Sequence, residues 1–227
     1  MERRIFVANP ASLTRKAFIA ACAVGSAAAL SAEGLAFASE GDEAVEEGGG
    51  QSFGHTYGMQ LGFWVETGKC VDCGTCAHKC DRANGTPENQ ASRRKIIEAA
   101  NSRSEDVYVS VSCMHCLDPS CMEVCPAGAI SKREGDGAVV VDHDRCIGCK
   151  YCYEACPFSV PKYNDNGMYK CDFCIENGTY PRKAPACVQA CPHDALHFGV
   201  INDILAEHGD AVVTLTATTG PSVLLSR

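Results

Sequence analysis

The chain has 227 residues, a formal net charge of −8 and 17 cysteines, while aromatic residues make up 7% of it and tryptophan occurs once. The acidic balance argues against nucleic acid as a partner, because neutralising phosphates needs clustered Lys and Arg. So many cysteines beside so few aromatic residues imply a thin hydrophobic core stapled by disulfides or metals.

In chain order, Arg3, Arg4, Arg15 and Lys16 precede an apolar run over residues 17–30, and Ala36-Phe37-Ala38 offers a small-x-small cleavage site. Residues 1–38 therefore read as an export signal, the run being too short and alanine-rich to span a bilayer comfortably. Residues 12–19 resemble a twin-arginine signal, with Lys16 where the second arginine belongs. That route suits a protein that folds around a cofactor before export. Cys22 reads as incidental within this segment. The expected location is periplasmic or peripheral on the outer face of the cytoplasmic membrane. Residues 39–56 read as a flexible linker, since 39–52 are rich in Gly and Glu and cannot bury a core.

Ordered structure is expected from Tyr57 onward. Residues 58–65 read as a first strand, 91–101 carry helix formers, and 107–111 alternate like a strand. Residues 129–133 and 138–142 flank Gly135-Asp136-Gly137, a hairpin signal. Residues 201–207 read as a short helix and 211–216 as a final strand. Every predicted element is short, so metal centres rather than a large core would organise the fold.

The cysteines beyond Cys22 fall into four groups of four. Cys70, Cys73, Cys76 and Cys80 are spaced C-x2-C-x2-C-x3-C. Cys113, Cys116, Cys121 and Cys125 follow C-x2-C-x4-C-x3-C, with Pro126 next. Cys146, Cys149, Cys152 and Cys156 repeat the first spacing, with Pro157 next. Cys171, Cys174, Cys187 and Cys191 are spaced C-x2-C-x12-C-x3-C, with Pro192 next. A [4Fe–4S] cubane offers one iron at each corner, and three closely spaced thiolates in a loop can wrap three of them. The fourth cysteine is expected at the start of a helical turn ended by proline, pointing to the neighbouring cluster. In bacterial dicluster ferredoxins it ligates that other cluster. By this logic Cys113, Cys116 and Cys121 take Cys156, while Cys146, Cys149 and Cys152 take Cys125. Likewise Cys70, Cys73 and Cys76 take Cys191, and Cys171, Cys174 and Cys187 take Cys80. Zinc modules favour two separated C-x2-C pairs, and cysteines two residues apart make poor disulfides, so both alternatives fit the spacing less well.

The segments Cys146-Ile147-Gly148-Cys149-Lys150-Tyr151-Cys152-Tyr153-Glu154-Ala155-Cys156-Pro157-Phe158 and Pro185-Ala186-Cys187-Val188-Gln189-Ala190-Cys191-Pro192 carry a resemblance. They are similar to the four-cluster iron–sulfur subunits of dimethyl-sulfoxide-reductase-type molybdopterin oxidoreductases. The likeness runs from about Tyr57 to the C-terminus and includes Lys170-Cys171-Asp172-Phe173-Cys174 and Gly220-Pro221-Ser222-Val223. It implies an α+β fold of two ferredoxin-like dicluster modules: a contiguous inner one over about 107–160, and a discontinuous outer one over about 57–106 plus 161–227. It also implies four [4Fe–4S] clusters and no catalysis by this chain. Some members of the wider family replace a second-group cysteine with tryptophan and hold a three-iron cluster. Here Cys116 and Cys121 are both present. The implied role is an electron relay between a molybdopterin catalytic subunit and a quinol-linked membrane anchor or a cytochrome. The same module also serves hydrogenases and nitrite- or sulfur-compound reductases, which keeps a relay for one of those as the alternative reading. A zinc-stapled binding module is a third.

No nucleophile motif, phosphate loop or dinucleotide fingerprint is present. His115 and His193 read as polar loop residues at a partner surface, Tyr151 and Tyr153 as packing residues, and Lys69 and Lys170 as solvated lysines. Each lies near enough to a cysteine group to tune a cluster, as does Lys150.

Overall fold

The protein is described by a computed structural model, which covers residues 59–100, 106–214 and 218–226. The expected export signal, Cys22 and the linker lie outside the described residues. In chain order the strands and helices are β1 (Leu61–Val65), α1 (Thr75–Ala83), β2 (Lys95–Ala100), β3 (Asp106–Val111), α2 (Ser120–Glu123), β4 (Ile130–Lys132) and β5 (Val139–Val141). Then follow α3 (Tyr151–Ala155), β6 (Lys162–Asn164), β7 (Gly167–Tyr169), α4 (Ala186–Gln189), β8 (Leu196–Val200), α5 (Ile201–His208), β9 (Val212–Thr214) and β10 (Val223–Ser226). The architecture is α+β, with one four-stranded sheet and three separate hairpins.

The sheet has the order β8-β1-β10-β9. β1 pairs antiparallel with β8, Phe63 facing Phe198, and parallel with β10, Phe63 facing Val223. Alternation along β1 sends Leu61, Phe63 and Val65 into the main core, beside Val223, Leu225 and Leu196. Trp64 points to the other face, where Ile201 and Ile204 of α5 pack with Leu224. Covering both faces explains why this central strand is apolar throughout. Gly62 is the one position in β1 that admits no side chain: a Cβ there would lie 2.1 Å from the Ser222 carbonyl oxygen and 2.4 Å from Ile201 Cδ1.

Three sequence expectations need correction. Residues 91–101 do not form a helix; β2 pairs antiparallel with β3, with Ile97 facing Val109. Adjacent β-branched Ile96 and Ile97 fit a strand against a Val-rich neighbour, and that pairing overrides the helix formers around them. The expected last strand is present as β9 within the described residues. However, β10 follows it and lies between β1 and β9. The fourth cysteine of groups two, three and four follows the end of a short helix instead of starting a turn. The predicted hairpin is present, β4 pairing with β5 through Ser131 and Val140.

Candidate metal centres

Each cysteine group is wrapped by a loop whose backbone turns left-handed. Asp72 and Gly74 have φ of 55° and 73° before α1, and Gly148 and Lys150 have 66° and 69° before α3. His115 in group two, and Phe173 and Cys174 in group four, are also positive at 42°, 61° and 62°. Residues other than Gly occupy this region at a cost, and such strain collects at functional sites. Alternating right- and left-handed residues also turns successive N–H groups inward, forming a nest suited to anionic groups.

Spatial grouping cuts across the sequence groups. One cavity is lined by Cys70, Cys73 and Cys76 of group one together with Cys191 of group four. Another is lined by Cys146, Cys149 and Cys152 of group three with Cys125 of group two. Cys80 lies within electrostatic reach of Cys171, Cys187 and Cys174, and Cys156 within that of Cys116 and Cys121, which in turn lie within reach of Cys113. The helices explain the exchange. α1 packs on α4 and α2 on α3, so a cysteine leaving one helix faces the loop before the other. All sixteen thiols are free. Among the described residues no three Cys, His, Asp or Glu side chains converge on a point that would hold a single ion.

Comparison with known proteins places this geometry. A 4Fe-4S dicluster domain matches residues 105–201. The chain is 45% identical over 165 residues to the B subunit of the anaerobic dimethyl sulfoxide reductase of Escherichia coli, covering 66% of this chain and 78% of that subunit. The chain belongs to the iron–sulfur electron-transfer subunits of dimethyl-sulfoxide-reductase-type molybdopterin oxidoreductases. It is also 41% identical over 141 residues to the thiosulfate reductase electron transfer subunit PhsB of Salmonella typhi, covering 60% of this chain and 73% of that one. The hydrogenase-2 operon protein HybA of Escherichia coli O157:H7 is 33% identical over 176 residues, covering 65% of this chain and 54% of that one. The subunit is thus a ferredoxin-like electron carrier of [4Fe–4S] type and not a catalytic subunit.

The surroundings of the sulfurs fit such clusters. Burial raises Cys116 to about 11, Cys121 to about 12 and Cys187 to about 11, with Cys80 pushed higher still. Thiols this reluctant to ionise become thiolates only when a metal's positive charge replaces the proton. Cys73 differs, its thiol lowered by a 3.5 Å hydrogen bond with the Thr75 hydroxyl. Backbone N–H groups already point at sulfur: Ala129 donates to Cys125 and Ala195 to Cys191, each at 3.3 Å, and Met168 to Cys146 at 3.4 Å. The first two arise from the same local pattern, Cys-Pro-x-x-Ala. Gly167, at φ +101°, lies against Cys146, where a Cβ would come within 2.9 Å of the sulfur. Hydrogen bonds of this kind stabilise negative charge on sulfur and raise cluster potentials.

Several single residues depart from the sequence reading. His115 is not at a surface; it is 1% exposed, and the Val139 N–H donates to its Nδ1 at 3.0 Å, which leaves the proton on Nε2. That Nε2–H is buried without a protein acceptor. Burial first, then Lys170, Lys132 and Arg94, hold the ring well below the ordinary histidine value, so it stays neutral. His115 also stacks on Phe173, centroids 3.6 Å apart, joining the loops of groups two and four. Lys170 is buried, its ammonium donating to the carbonyls of Val139 and Cys171. Tyr151 and Tyr153 are exposed rather than packed. His193 and Lys150 are exposed as well, and Lys69 pairs with Glu66 at 2.8 Å. Arg94, Ser110 and Lys132 carry no signal in the sequence that marks them as part of the site. Lys132, partly buried, donates from Nζ to the Cys116 carbonyl at 2.7 Å.

Proposed function

We propose that the subunit holds four [4Fe–4S] clusters, one in each mixed set of cysteines, and passes single electrons along them between a molybdopterin catalytic subunit and a quinol-linked membrane or haem partner. The observation that carries this reading is the crossed grouping: Cys70, Cys73 and Cys76 with Cys191, and Cys146, Cys149 and Cys152 with Cys125, each around a common cavity. The same grouping supports the inner and outer modules expected from sequence. When bound, each cubane supplies one-electron chemistry, and the chain sets its potential by hydrogen bonds, burial and nearby charge.

The order of the four sets follows from which residues link them. α1 carries Cys76 and Cys80, so it belongs to two sets at once. The stacked rings of Phe173 and His115 join the set containing Cys171 to the set containing Cys113. Cys125 leaves group two for the set containing Cys146. Exposure supports the same order. Cys73 and Cys149 are exposed, and each belongs to a set at one end of this row. Exposed Val71 stands beside one end, and exposed Ile147 and Tyr151 beside the other. All four corners of every set are taken by cysteine, which leaves no iron open for a substrate.

The relatives support a reductase as the catalytic partner, being subunits of dimethyl sulfoxide and thiosulfate reductases. The likeness to a hydrogenase-2 operon protein keeps a hydrogenase relay as the second reading. Among the described residues no helix is long and apolar enough to cross a membrane. The basic and apolar pattern of residues 1–38 supports export, with the subunit peripheral on the outer face of the membrane. Metal analysis of the complex purified without oxygen tests the function. Four cubanes require about sixteen iron and as many sulfide per chain, together with molybdenum or tungsten. About eight iron would overturn the four-cluster reading, and nickel in place of molybdenum would move the partner to a hydrogenase.

A further inference from the structure

Arg94 is 1% exposed, the largest of the fully buried side chains among the described residues. Burying a guanidinium is costly unless an opposite charge answers it. Its neighbour Arg93 has such charges, with Asp172 at 3.6 Å and Glu176 at 3.5 Å. Among the described residues Arg94 has no carboxylate in ion-pair range; its guanidinium donates to the Ser110 carbonyl at 3.2 Å, the Ser110 hydroxyl at 2.9 Å and the Ser112 hydroxyl at 2.9 Å. It also sits 4.3 Å over the Phe63 ring. Its Nε–H is buried with no acceptor in the protein.

Cysteine sulfurs rather than carboxylates lie around it. Burial works against the Arg94 cation, and Cys187, Cys171, Cys80 and Cys76 favour it. Those four cysteines come from the two sheet-side sets, that of Cys70, Cys73, Cys76 and Cys191 and that of Cys80, Cys171, Cys174 and Cys187; the other two sets lie beside the hairpins β4–β5 and β6–β7. One of the sheet-side sets is reached through a hydrogen-bond relay. Ser110 Oγ lies 3.2 Å from Cys76 Sγ. Because the Ser110 oxygen accepts from Arg94, its own O–H is free to donate to the sulfur once Cys76 is a thiolate. Charge-assisted donors of this type are stronger than neutral ones.

We propose that Arg94 is the built-in counter-charge of the two sheet-side clusters, and that through Ser110 it raises the potential of the one bound by Cys76. The proposal rests on the cluster ligation above. Reduction adds an electron to a centre already ringed by thiolates, so a fixed cation near two such centres stabilises their reduced forms. Arg94 touches no substrate; it is a positioning residue for charge.

The test is a redox titration of the assembled complex monitored by electron paramagnetic resonance, with iron and sulfide counted in every variant. Cys76→Ser identifies which signal belongs to its cluster. In Arg94→Gln the midpoints of both sheet-side clusters should move negative, that of the Cys76 cluster by at least tenfold in the reduced-to-oxidised ratio at fixed poise, about 59 mV for one electron. Ser110→Ala should shift the Cys76 cluster alone, and by less. Arg94→Lys should keep most of the wild-type potential. The two hairpin-side clusters should not move in any variant. With wild-type iron content, unmoved midpoints or an equal shift of all four clusters would overturn the proposal and leave the ligation standing. If Arg94→Gln fails to assemble, an unmoved Cys76 cluster in Ser110→Ala overturns it alone. If Cys76→Ser leaves every signal intact, the ligation fails and the inference falls with it.

Discussion

On the hairpin side, the set of Cys113, Cys116, Cys121 and Cys156 and the set of Cys125, Cys146, Cys149 and Cys152 each come from one short run of chain, flanked by β4, β5, β6 and β7. On the sheet side, Cys76 meets Cys191, and Cys80 meets Cys187, from opposite ends of the described chain. Closing a long loop costs more chain entropy than closing a short one, although the cost grows only slowly with length. The sheet side offsets it with β1, which joins β8 and β10 from the far end of the chain, and with most of the hydrophobic core. The hairpin side has a small apolar group around Ile130, Val139, Cys152 and Met168. The loop of Cys113 and Cys116 also leans on the sheet, the Leu117 N–H donating to Gly220 and the Ser222 N–H to Met114. Only the set of Cys125, Cys146, Cys149 and Cys152 therefore follows from local chain, whereas those of the sheet side depend on tertiary structure.

The largest expected difference is in core truncation. Phe63→Ala removes a ring packed at 5.5 Å and 5.4 Å from those of Phe173 and Phe198, and should cost about 3–5 kcal/mol. Met168→Ala on the hairpin side should cost about 2 kcal/mol, the low end for such a change, because a small group collapses more readily. Anaerobic denaturant midpoints measure both. Equal losses would show that the two sides share one core.

Gly62→Ala sharpens the comparison at the sheet itself. The Ser222 carbonyl and Ile201 cannot both make room, so a loss of about 1–3 kcal/mol is expected, read from the same midpoints. A neutral outcome would mean that β10 and α5 can shift away from β1 without cost.

The smallest effect concerns Glu66, which accepts from Lys69 and from His197, both at 2.8 Å. Partial burial pushes its carboxyl upward, but the hydrogen bonds and charges of those partners outweigh it and hold the group below its ordinary 4.5. A depressed acid stabilises the fold above its unfolded value and loses that contribution as pH falls through the folded one. Wild type should therefore exceed Glu66→Gln slightly near neutral pH, by less than about 1 kcal/mol for so exposed a pair. The gap should close below about pH 4. A gap that widens in acid would mean that Glu66 is not held ionised by these partners.

Much of the candidate site was legible because thiolate spacing is a local property. Cys-x2-Cys-x2-Cys-x3-Cys states which three sulfurs share a loop, and the proline after the fourth marks where the chain departs. What could not be read depends on charges absent from the sequence. Lys170 and Arg94 look like solvent residues, since a buried cation needs a counter-charge and the sequence does not mark the neighbouring sulfurs as one. His115 likewise looks like a loop residue until Phe173 is seen stacked on it. The residues of β2 resemble a helix because its partner β3 enters only through pairing. β10 gives no signal of its own, because Val223 to Ser226 is short and gains its meaning beside β1.

Cys156 separates crossed from local ligation most directly. Cys156→Ser, studied by electron paramagnetic resonance and iron analysis of the assembled complex, should damage the cluster bound by Cys113, Cys116 and Cys121. The one bound by Cys146, Cys149 and Cys152 should remain intact. Loss of the latter alone would mean that each sequence group closes on its own cluster, and the crossed arrangement would be wrong.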